Sequence, residues 1–352
     1  MDRHEESADG PDQAGKGDRA TGARAERIGW IDAAKGLGII AVVVGHMWYR
    51  GPVRDLVYAF HMPAFFLLAG YVFRPRPMGD FLRKSLLSLA LPYAVFLLLL
   101  YGADHLIEGA KGFRPWLSGA AGWNKLLVGG SELTGPFTVF WFVPCLFFAR
   151  LAQNALGRRF PDPRDPAWWL AGSVAAISGV WIGMRTDFSP LGLLPVPIAF
   201  LLLWIGQLLS VVEGRWTLTA RAGICALALL AAVAAYMGWM VPVNMKLGDY
   251  GNPLLALPAA LVMSIAMFQL ARYAPWAGGL GAASLVIMYL HVPIIHYLTP
   301  YAPRWIIFPL ALFVPYGLHL IFGLNRWTAM LFLGKGMPPP AQKGDRAISR
   351  AA

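Results

Sequence analysis

The chain has 352 residues, 57% of them apolar and 14% charged, with a mean hydropathy of +0.53. A soluble domain is about 45–50% apolar and about 25% charged, so this composition excludes a water-soluble globule, whose surface needs more charge than this. A 13% share of aromatic residues excludes disorder for the bulk of the chain. At about 20 apolar residues per crossing, the sequence reads as an all-α polytopic integral membrane protein.

In chain order, apolar spans fall near 36–49, 56–73, 85–101, 136–152, 167–184, 193–212, 220–241, 253–271, 280–298 and 304–323. About ten transmembrane helices put both termini on one side. The formal net charge is +11, and its distribution orients the chain. With the N-terminus inside, the inner segments carry Arg3, Lys16, Arg19, Arg24, Arg27, Arg74, Arg76, Arg83, Lys84, Arg150, Arg158, Arg159, Arg164 and a basic tail. The outer segments carry far fewer cations, among them Arg50, Arg54, Lys111, Arg114 and Lys246. The positive-inside rule therefore predicts N-in and C-in topology, with residence in the cell inner (plasma) membrane. Basicity used this way predicts no nucleic-acid partner.

Residues 1–27 are polar and lack an apolar h-region, so they read as a disordered cytoplasmic tail. A second tail is expected over 336–352, after Pro338-Pro339-Pro340. Between them, 28–325 reads as one transmembrane domain. Cys145 and Cys225 both fall inside predicted spans and read as small apolar fillers rather than a disulfide. The longest loop, about 102–135, is expected outside as a surface cover, with lining an acceptor site as its alternative.

Chemistry is sought among polar residues in the spans, because these are costly in lipid and face a protein interior or aqueous cavity. In the first span Asp32 and Lys35 are three apart and share a helix face. They form either an interfacial anchor or part of a site. His46 lies eleven residues beyond Lys35, about 16 Å along a helix and close to three turns. His61 opens the second span near its outer edge, and His291 falls in the outer half of the ninth. Three histidines at one depth of an apolar protein point to proton transfer near neutrality. Metal binding by the same three is the rival, but no Asp, Glu or Cys joins them at ligand spacing, and no metal is expected.

These residues carry a resemblance. Ile31-Asp32-Ala33-Ala34-Lys35-Gly36 with Val44-Gly45-His46, then Phe60-His61-Met62-Pro63-Ala64-Phe65-Phe66 and Gly70-Tyr71, resemble the opening signature of the membrane-bound acyltransferase-3 family. Leu91-Pro92-Tyr93, Phe140 to Phe147, Leu280 to Ser284 and Tyr289 to Pro293 continue it in order. The nearest flavour is the sugar O-acetylase group that includes fucose 4-O-acetylase-like proteins. The resemblance implies transfer of an acyl group, usually acetyl from acetyl-CoA, to a hydroxyl of a cell-surface glycan or lipid-linked saccharide. It implies an essential His46 assisted by Lys35, where many members have Arg. Many members also have an Arg-x-x-Arg pair before the third span; this chain has Arg83-Lys84 followed by Leu86-Leu87 instead.

The expected mechanism docks the coenzyme A phosphates on Arg74, Arg76, Arg83 and Lys84 at the cytoplasmic face. His46 takes the proton of the acceptor hydroxyl, and His61 or His291 orients it or shares the proton. Transient acylation of His46 is the alternative route. No residue is an obvious oxyanion donor, and Ser284 and Trp141 are candidates by position only. A saccharide or lipid transporter using the histidines as a proton relay is the rival class. It is disfavoured because the signatures of spans one, two and nine have no partners in a second half.

Overall fold

A computed structural model describes residues 12–336, with side chains from Gly29 onward. Among the described residues the fold is helical throughout, with one isolated bridge, Asn244 to Asp249, and no strand. Seven helices are long and apolar enough to cross a membrane, or eight if a bent pair counts as one span. They show an all-α polytopic membrane architecture.

Helix α1 (Asp12–Met47) starts inside the segment expected to be the N-terminal tail. Residues 1–11 and 337–352, which hold the rest of both expected tails, lie outside the described residues. After Gly51, whose φ of +89° suits glycine, come α2 (Pro52–Tyr58) and α3 (His61–Tyr71). The second expected span, 56–73, is therefore two short helices broken at Phe60 (φ −139°) rather than one rod. Helix α4 (Met78–Ser85) runs through a π-helical turn, Leu86–Ala90, into α5 (Leu91–Ala110). Pro92, in the first turn of α5, has no N–H to give, consistent with the local widening.

Helix α6 (Gly119–Val128) lies in the long loop, and α7 (Phe142–Arg159) follows a 3₁₀ lead-in, Gly135–Trp141. Then come α8 (Pro166–Gly183), α9 (Val196–Val212), α10 (Leu218–Tyr236) and α11 (Pro253–Ala271). Helix α8 has eighteen residues and is not among the seven long apolar helices. Helices α12 (Gly278–Ala282) and α13 (Ser284–Leu298) are the bent pair, turned by 74°. Helices α14 (Arg304–Gly323) and α15 (Arg326–Leu333) end the fold.

Close packing of small residues fixes α1. A side chain at Gly36 would overlap the Ala277 carbonyl, and one at Gly281 would overlap that of Asp32. Only glycine lets α12 cross α1 this closely, the usual device where helices meet in lipid. At the same end, Glu213 accepts hydrogen bonds from Tyr71 Oη and from Arg272 Nη2, the latter at 3.0 Å. Arg272 lies over the Trp30 ring at 5.0 Å. That cluster ties the ends of α1, α3, α9 and α11 together.

The interior is aromatic. Tyr289 is fully buried and packs its ring between Phe96 at 4.8 Å and Phe140 at 4.9 Å. Outside, α10 and α5 expose leucines such as Leu218, Leu229, Leu98 and Leu99. Such a surface is a liability in water and is satisfied by lipid. Of the long loop, the first part is stapled to α13. Fully buried Asp104 accepts from Tyr297 Oη at 2.6 Å and from the Trp116 amide at 2.8 Å.

Candidate active site

A cavity of about 890 Å³ runs through the bundle. One stripe of α1 forms its longest wall: Ile31, Asp32, Lys35, Ile39, Val42 and His46. Steps of three and four residues are what a single helix face provides. From Ile31 to His46 the stripe rises fifteen residue steps, about 22 Å of helix, so one end of the cavity is marked by Lys35 and the other by His46. Helix α3 lines it from His61 to Ala69 on the opposite side, with Val72 just beyond the helix end.

At the Lys35 end, Lys35 Nζ donates to Asp32 Oδ1 at 2.8 Å, with both side chains about a third exposed. The pair expected from sequence therefore exists, and it stands in the cavity wall. Arg150 of α7 lines the same end, and its buried Nε has no hydrogen-bond partner. Sequence reasoning missed Arg150, although it is an arginine inside an expected apolar span. It had been read only as a topology charge. The charge of Arg76 reaches both Arg150 and Lys84. Arg74, Arg76, Arg83 and Lys84 are all exposed and none lines the cavity. Arg76 is anchored through its backbone, with Asn154 Oδ1 accepting from its N–H at 2.9 Å.

At the other end three histidines converge. His46 and His61 line the cavity; His291, fully buried, stands behind His46 and does not line it. The His46 and His291 rings lie 5.0 Å apart, edge to face. Tyr58 packs against both lining histidines, 4.7 Å from the ring of His61 and 6.2 Å from that of His46. Each histidine turns Nδ1 toward the carbonyl four residues back: His46 to Val42 at 3.0 Å, His61 to Val57 at 2.8 Å and His291 to Ile287 at 2.8 Å. A carbonyl only accepts, so Nδ1 carries the hydrogen in each case, and in the neutral ring Nε2 is the free base. The His46 Nδ1–H is shared with His291 Nε2 at 3.4 Å.

The same end is walled by Arg54, Tyr58, Ser131, Thr134, Thr138, Asn244 and Lys246. Ser131 and Thr134 belong to the end of the long loop, so that loop both covers and lines. Lys246 Nζ donates to the Leu133 carbonyl at 2.7 Å and to Thr138 Oγ1 at 2.8 Å. Burial pushes the Lys246 ammonium down to about 8. Nothing in the sequence singled out Lys246, a lone cation in a connecting segment. Trp141 and Ser284 line the wall as well. Among the described residues no group of three or more His, Cys, Asp or Glu is arranged to hold a metal ion.

Such an arrangement places a nitrogen base with a fixed tautomer at one end of a long apolar passage, and the cations Lys35 and Arg150 at the other. A family model, Acyl_transf_3, described as an acyltransferase domain, matches residues 28–325. Comparison with curated proteins and with solved structures gives no match. The matched length takes in every residue that lines the cavity, and the chain is a membrane acyltransferase that belongs to the acyltransferase-3 family.

Proposed function

We propose that the protein is an O-acyltransferase of the cell inner membrane, moving an acetyl group from cytoplasmic acetyl-CoA to a hydroxyl of a cell-surface glycan or lipid-linked saccharide. One observation carries this reading: a single cavity joins the cationic Lys35 end to the histidine end. With both termini cytoplasmic, the Lys35 end faces the cytoplasm and the His46 end faces out.

In this scheme the coenzyme A phosphates rest on Arg150 at the cavity wall, with Arg74, Arg76, Arg83 and Lys84 adding charge from the exposed rim. Lys35 stands where the pantetheine arm enters, and the arm follows the apolar face of Ile39 and Val42. Lys35 and His46 are about 16 Å apart along α1, so Lys35 works on the donor and not on the reacting hydroxyl. His46 Nε2 takes the proton as the acceptor oxygen attacks the thioester carbonyl. The tetrahedral intermediate collapses, the C–S bond breaks, and the departing sulfur takes the proton back from His46. His291 holds the ring by accepting from Nδ1–H. His61, with its own Nε2 free, orients the acceptor. Nothing in the family match or the geometry favours the transport alternative.

The test is direct. Membranes with the protein, given radiolabelled acetyl-CoA, should accumulate label in a glycan or lipid-linked saccharide fraction, and membranes without it should not. Label absent from both would reject acetyl-CoA as the donor.

A further inference from the structure

Around His46 the cavity wall is cationic in a way that donor binding does not explain. Among the described residues lining the cavity, the one carboxylate is Asp32, at the far end. Arg54 and Lys246 stand at the His46 end with no lining carboxylate beside them.

Lys246 is the more telling of the two. Its two acceptors, the Leu133 carbonyl and the Thr138 hydroxyl, are neutral, and among the described residues no salt bridge involves it. The charge of Glu132 reaches it without forming an ion pair. An ammonium has three donors, so one N–H remains for a ligand. A part-buried cation held on neutral oxygens keeps its field, and an incoming anion relieves its desolvation. Arg54 lies over the Tyr58 ring at 4.4 Å and pairs through Nη1 with Asp55 at 2.7 Å, which leaves the rest of its fork. In the same cavity wall, Ser131, Thr134 and Asn244 supply hydroxyl and amide groups of the kind that bind sugar hydroxyls.

We propose that Lys246 and Arg54 form an anion subsite at the His46 end of the cavity, and that the acceptor is an anionic saccharide bearing a carboxylate or a phosphate. The word acceptor rests on the acyl-transfer reading; the affinity of the subsite for an anion does not. The subsite needs a protonated Lys246. The groups facing that ammonium are Glu132, the Leu133 carbonyl and Thr138, and its charge and that of Arg54 both reach His46. Anion affinity therefore fades as pH rises through about 8, and Lys246→Arg, which stays charged, removes the fade.

Equilibrium binding to the full-length protein in detergent, with no donor present, tests this. The probes are methyl β-glucoside, methyl β-glucuronide and methyl β-glucoside 6-phosphate. At least one anionic probe is expected to bind at least about tenfold tighter than the glucoside. The better of the two anions identifies carboxylate or phosphate. The advantage should vanish in Lys246→Met, persist in Lys246→Arg and shrink with added salt. Should Lys246→Met fail to fold, Arg54→Gln carries the same test, with a severalfold loss expected. Equal binding of all three probes, no binding, or an advantage that survives these substitutions overturns the proposal. Because no bond forms in this assay, a protein that binds the anion yet transfers no acetyl group contradicts the proposed function alone.

Discussion

His291 Nε2 lies 3.4 Å from His46 Nδ1, joining residues 245 positions apart in the chain. The contact gives the first-span histidine a second acceptor for its Nδ1–H beside the Val42 carbonyl at 3.0 Å. Two acceptors on one N–H fix both the tautomer and the ring plane. They leave Nε2 as the only nitrogen that can meet a hydroxyl in the cavity.

In the proposed mechanism this contact makes His291 a positioning residue. His291→Ala should lower kcat about tenfold while both KM values stay within twofold. His291→Gln, whose amide oxygen can accept from His46, should recover part of the loss. Steady-state kinetics on matched amounts of folded protein check this. An unchanged kcat in His291→Ala would leave His291 with packing alone.

Donor binding separates the residues that line the cavity from those that do not. Arg150→Ala should raise the KM for acetyl-CoA about tenfold, the scale of one charge-assisted phosphate contact. Arg83→Ala, altering an exposed cation outside the cavity, should raise it less than twofold. The reverse order would return the donor site to α4.

The passage can be plugged. Val42 is 4% exposed and lies between Lys35 and His46 on the cavity stripe. Val42→Trp should cut transfer at least about a hundredfold by displacing the donor arm, with acetyl-CoA still bound at the mouth. Val42→Ala should keep most of the activity. Equal activity of the two variants, with both proteins inserted, would mean that the acyl group takes another path.

Much of this was legible in the sequence, for identifiable reasons. Apolar length located the helices, because lipid demands it. The eleven-residue spacing of Lys35 and His46 put them on one helix face, which became the cavity stripe. The convergence of His46 with His291 followed from equal depth, since neighbours in a bundle share a level. Local backbone was hidden. The break at Phe60 and the 74° bend at Ala283 depend on which helices cross, as at Gly36 and Gly281. Lys246 and Arg54 stayed invisible because a loop cation looks the same whether it faces water or a cavity. Arg150 was visible as an arginine in an apolar run, but the topology count absorbed it.

Orientation has its own check. In a variant with Cys145 and Cys225 replaced by serine, a cysteine placed at Ala120 should react with an impermeant maleimide in intact cells. One placed at Gly336 should stay unlabelled until the membrane is opened. Both positions are exposed. Ala120 is preferred to its neighbour Gly119, whose φ of +66° would strain a side chain. Labelling at Gly336 alone would invert the topology and put the histidines on the donor side.

The central claim is that His46 is the base for acyl transfer across this cavity. Inverted membrane vesicles carrying wild-type protein or His46→Ala, supplied with radiolabelled acetyl-CoA at the exposed cytoplasmic face, give the most direct measurement. Loss of a general base typically removes about 10²–10⁴ in rate. Label in the saccharide fraction should therefore appear at least about a hundredfold more slowly with His46→Ala, at equal protein and saturating donor, a barrier increase of about 2.7 kcal/mol. Near wild-type labelling by His46→Ala would contradict the assignment.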